Sequence, residues 1–158
     1  MRRGISLLLA MLCLFCLYGC DQEDGVLFFY PRTEIQYGSA DAVIASEARD
    51  IDNTGKDMTF LLKLYLEGPI SQELRSPFPR GTTLESLSYA GGQLFVVLNE
   101  PFAALENMDY LIACACIAST CFELTEATSV TVKTQQTSLT LTRDTLMLED
   151  IATASSPK

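Results

Sequence analysis

At 158 residues the chain has room for one domain with its ends to spare, and a hydrophobic share of 48% suits a globular core. Its net charge of −9, with no basic cluster, excludes binding to nucleic acid or to anionic headgroups by charge. Any membrane attachment must therefore come through a lipid or an apolar segment.

Residues 1–19 read as a secretory leader. Arg2 and Arg3 form a positive start, and Ile5 to Tyr18 is an uncharged apolar run. That run is shorter than the roughly 20 residues a spanning helix needs. It ends in Leu17-Tyr18-Gly19-Cys20, followed by Asp21-Gln22-Glu23-Asp24. This resembles the bacterial lipobox, although Tyr18 is bulkier than the residue usual there. The resemblance implies lipidation of the Cys20 thiol, cleavage before Cys20, and a tether over residues 20–24. The domain is then expected on the outer face of the membrane, over residues 25–150.

Val26 to Tyr30 is an apolar, aromatic run closed by Pro31, as a buried strand would be. A weaker strand spans Ala42 to Ile51. Met58, Leu61, Leu62, Tyr65 and Leu66 recur at helical spacing, with Asp57 as N-cap and Gly68-Pro69 as stop, so a helix is predicted over 58–67. Ser71 to Thr82 carries Pro77, Pro79 and Gly81 and reads as loop.

Leu84–Ala90 and Gln93–Asn99 flank Gly91-Gly92, a two-residue hairpin signal. Pairing Ala90 with Gln93 places Tyr89 opposite Leu94 and Leu87 opposite Val96, on a face that should meet the core. Ser88–Phe95 and Ser86–Val97 share the other face. A second helix is predicted from Asn107, as N-cap, to about Phe122. Leu111 to Ala118 carries no polar side chain but thiols, the pattern of a buried helix. Val130 and Val132 alternate, as do Leu139 and Leu141, with Thr134–Thr137 between them as a hairpin link. Leu146-Met147-Leu148 suggests a last short strand, and residues 151–158 a frayed tail.

The order β-β-α-β-β-α-β-β defines an α/β protein of α+β type: one small domain, with two helices packed on one face of a mixed sheet.

At Leu61-Leu62-Lys63-Leu64-Tyr65-Leu66-Glu67-Gly68-Pro69, through Leu74 to Thr82, the hairpin strand Leu94–Asn99, the apolar helix and Val130-Thr131-Val132, the chain resembles the GerMN domain. This is the sporulation and spore germination domain of Gram-positive bacteria. The likeness covers most of residues 25–134, and a hairpin near residues 137–148 is extra to it. It implies a fold similar to ring-building domains of secretion and sporulation channels. It also implies work in spore formation, germination or envelope assembly through protein contacts, and it names no catalytic residue.

The chain has no His, which removes His-based triads, His acid–base catalysis and most zinc hydrolase sites. Walker, nucleophile-elbow and dinucleotide fingerprints are also absent. Cys114 and Cys121, seven apart on one helix, lie about 10 Å apart, too far for a disulfide. Cys114, Cys116 and Cys121 therefore read as core residues, with no metal site and no cofactor expected. Asp50-x-Asp52-x-Thr54-Gly55 looks like a calcium loop until its twelfth position, Leu61, where a bidentate Glu is needed. Glu47, Asp50, Glu67 and Glu85 could supply a hydrolytic carboxylate pair, but their spacing shows no convergence.

Phe95 and Val97 are left as the clue to a surface. Either the carboxyl-terminal strands cover them, or they form a partner-binding patch. The expectation is a non-catalytic scaffold that binds envelope or sporulation proteins. Peptidoglycan or small-molecule binding is the alternative, a carboxylate hydrolase comes behind it, and self-association is left open.

Overall fold

A computed structural model describes residues 25–34, 43–51 and 57–146. The leader, Cys20, Asp52 to Gly55 of the calcium-like loop, and Met147 onward lie outside the described residues.

Strand β1 (Val26–Pro31) pairs antiparallel with β2 (Ile44–Arg49) in a two-stranded sheet. Helix α1 (Met58–Leu66) follows, and its start is set by Asp57, whose carboxylate accepts the Phe60 N–H at 2.7 Å. Gly68 ends it with φ +98°, a left-handed conformation that favours glycine. Strands β3 (Leu84–Ala90) and β4 (Gln93–Leu98) form the hairpin in the predicted register, from Ala90↔Gln93 to Ser86↔Val97. Gly91 and Gly92 both take positive φ at its tip.

A short helix α2 (Glu100–Ala103) comes next, which sequence patterning does not reveal. It buries Phe102 completely. Helix α3 (Asn107–Leu124) then leads to β5 (Ser129–Lys133), which runs parallel to β4. A parallel neighbour requires such a crossover. Strand β6 (Ser138–Thr142) returns antiparallel to β5, giving a mixed sheet of order β3-β4-β5-β6.

Both sheets pack on α3. At 100° per residue, its buried positions from Ala113 to Phe122 occupy roughly two-thirds of its circumference, so a single sheet could not cover them. One core joins Phe28 and Tyr30 of β1, Leu62 and Tyr65 of α1, Ile117 of α3, and Val130 and Val132 of β5. The side chain of Thr120 adds a polar tie, accepting the Phe29 N–H at 3.0 Å.

The strands expected in one mixed sheet divide between two, and three further details differ from the sequence expectations. Asn107 is not the N-cap of α3: Glu106 holds that position without a side-chain bond, and Asn107 is the first helical residue, at φ 50°. Asn is among the few residues that tolerate that region. Leu146, expected to open a strand, closes a short helix α4 (Arg143–Leu146). Its turn is closed by Thr145, whose hydroxyl accepts the Thr142 N–H at 3.0 Å and donates to the Thr142 carbonyl at 2.7 Å. Tyr89, placed on the core side of the hairpin, is 55% exposed. With Met58 and Leu87 it lines an apolar groove of about 450 Å³ instead of entering the core.

Candidate functional site: the open face of the four-stranded sheet

Pairing across the sheet fixes what its second face presents. The row nearest the hairpin tip is Ala90, Gln93, Ser129 and Thr142. The middle row is Ser88, Phe95, Thr131 and Thr140, and the far row Ser86, Val97, Lys133 and Ser138. Among the described residues these three rows hold no carboxylate, in a chain of net charge −9; Glu85 sits unpaired at the bulge before Ser86. Lys133 is the one charged side chain in these three rows.

Phe95 and Val97 lie at the centre of the face, half-buried, and among the described elements only the sheet neighbours β3 and β5 pack closely on β4. Strand β6, which could have folded across them, instead extends the sheet edgewise beside β5. Ser129 and Thr131 are buried because they are small and flanked by neighbouring rows. The Thr131 and Thr140 hydroxyls bond at 2.8 Å. The face is therefore flat, small and polar around two apolar side chains.

Other singled-out residues have structural places. The Arg49 guanidinium bonds Glu47 through Nε at 2.7 Å and the Gly68 carbonyl through Nη2 at 2.5 Å. It also lies 5.0 Å from the Phe28 ring centroid. Glu47 accepts the N–H groups of Ile70 (2.9 Å) and Ser71 (2.7 Å), which ties the turn after α1 to β2. Burial acts to raise the Glu47 pKa, but Ser71, Arg49 and Ile70 outweigh it and hold the carboxyl below its ordinary value. Tyr30 donates to the Tyr65 carbonyl and Tyr65 to the Phe29 carbonyl, each at 2.8 Å. Burial raises both phenols. Glu47 is thus spent on the fold.

Cys114, Cys116 and Cys121 are free and buried, and burial pushes the Cys114 and Cys116 thiols up to about 12. Such thiols are inert packing groups. Among the described residues no cluster of His, Cys, Asp or Glu is arranged to hold a metal. Leu61, which filled the calcium-loop position, packs in the core.

Sequence reasoning missed Arg143. Its guanidinium donates to the carbonyls of Phe122 (2.7 Å), Thr125 (2.9 Å) and Ala127 (3.2 Å), and lies over the Phe122 ring. A cation there neutralises the carbonyl end of α3. The signal available was a lone Arg after a strand, which names no partner.

A small α+β domain with an open sheet face, small and polar around two apolar side chains, is the class these observations define. The chain belongs to the Germane family, described by sporulation and spore germination, whose model matches residues 26–140. Its role is accordingly sporulation- or germination-related. No curated protein and no solved structure matches it.

Proposed function

We propose that the protein is a lipid-anchored adaptor on the outer face of the cell membrane, tethered through Cys20, which binds an envelope or sporulation protein through its open sheet face. The placing of two half-buried apolar side chains, Phe95 and Val97, at the centre of that face carries this reading. Apolar side chains gathered on a surface mark contact sites, and rows without carboxylates spare an acidic protein the cost of desolvating them.

Its size sets the kind of contact. Four strands about 4.8 Å apart and three rows about 6.8 Å apart give roughly 400 Å², about half of what one partner buries in a standard interface. On its own such a contact is transient. A lipid tether compensates by confining both partners to one surface and raising their effective concentration.

The test is a crosslinking capture from native membranes with tagged full-length protein, beside Cys20→Ala and a Phe95→Ser, Val97→Ser double variant. One envelope partner should be recovered by the wild type and lost in both controls. Equal recovery by the double variant, with unchanged thermal melting, contradicts the reading.

A further inference from the structure

The row nearest the hairpin tip ends in a pocket of about 470 Å³, lined by Gln93, Thr128, Ser129, Thr142, Arg143 and Asp144. That volume is in the range of small-molecule sites. Ser129 supplies an independent sign of a missing ligand. It is only 6% exposed, and its hydroxyl has no hydrogen-bond partner among the described residues. Native folds pair nearly all such groups, and an unpaired one destabilises the protein. The cross-strand register puts it between Gln93 and Thr142, on the side that lines the pocket.

The chemistry of the lining selects the ligand. Arg143 is committed through Nε and Nη2 to three carbonyls, so its charge serves the end of α3. An anion would meet only the Nη1 edge of that guanidinium, and beside it the repelling Asp144 carboxylate. A metal ion would find a single carboxylate, Asp144. What remains is a neutral set in which most groups both donate and accept: the Gln93 amide and the hydroxyls of Ser129 and Thr142. Thr128 donates to the Gly92 carbonyl at 3.0 Å and keeps its lone pairs as acceptors. A saccharide has this property at every hydroxyl. An extended peptide separates donors from acceptors along its backbone and suits a strand edge instead.

We propose that this pocket binds a neutral oligosaccharide, with the Ser129 hydroxyl and the Gln93 amide as its recognition groups. The site adjoins the Phe95–Val97 patch, sharing the tip row of the same face, but is argued from different residues and does not rest on that reading.

The test is calorimetric titration of the full chain in detergent micelles with the tetramer of N-acetylglucosamine and, separately, with maltotetraose. One saturable site is expected for at least one sugar. Preference for the acetamido sugar assigns a wall-type glycan, and preference for maltotetraose a free sugar; both uphold the pocket. Gln93→Ala should weaken binding about tenfold, the scale of one lost hydrogen bond. Ser129→Ala should weaken it similarly while raising the Tm, because the unpaired hydroxyl is gone. A merely structural serine would not give that opposed pair of effects. No saturable binding of either sugar, or wild-type affinity in both variants, overturns the proposal. Intact sugar binding in the Phe95→Ser, Val97→Ser variant separates this site from the partner surface.

Discussion

Glu47 and Arg49 form a buried ion pair, with side chains 10% and 8% exposed. Because every remaining lone pair and proton needs a partner in such a setting, the backbone groups of Gly68, Ile70 and Ser71 complete it. Glu47→Gln keeps the shape and removes the charge, and should cost about 3 kcal/mol of unfolding free energy, the scale of breaking a buried pair. The pH dependence follows from the lowered carboxyl pKa. Its contribution is complete above the ordinary value of 4.5 and is lost as pH falls through the lower value of the folded state. Melting curves between about pH 3 and 7 should show an acid-side loss in the wild type that is smaller in Glu47→Gln. The pairing itself was partly legible, since residues two apart on a strand share a face. Its burial was not, because the turn that encloses it lies on the far side of α1.

At the scale of elements, the β3–β4 hairpin was legible down to its register, because Gly91-Gly92 fixes the turn and side-chain alternation fixes the faces. Gly92→Ala should cost about 1–2 kcal/mol in urea denaturation, from the left-handed φ alone. The new Cβ would also stand 3.2 Å from the Thr128 hydroxyl. Helix α3 was legible from its unbroken apolar run, but its entry was not: a positive φ at Asn107 leaves no periodic trace. Asn107→Gly should hold or raise stability, and Asn107→Ala should lower it by about 1 kcal/mol, read by the same denaturation. Helix α4 escaped notice because it is held from outside, by Arg143 on the carbonyls of α3. Arg143→Ala should cost about 2 kcal/mol, the scale of charge-assisted hydrogen bonds. Arg143→Lys should recover only part of this, since an ammonium cannot reproduce the guanidinium fork across three carbonyls.

At the scale of the whole molecule, one buried helix serves two sheets, and the larger sheet keeps a face free. The sequence named Phe95 and Val97 as the residues on which that face turns. It could not say whether β6 would fold over them or lie beside β5, since an alternating strand satisfies either arrangement. Nor did it single out Ser129, whose unpaired hydroxyl is visible only once its neighbours are in place. The direct measurement is photocrosslinking in native membranes, with a photoreactive residue at Val97 of the otherwise intact chain and, as control, at Glu67, which is exposed on the turn after α1. A single discrete adduct with an envelope protein from position 97, absent from position 67, is the expected result. No adduct from 97, or the same adducts from both positions, would contradict the open face as the working surface of this protein.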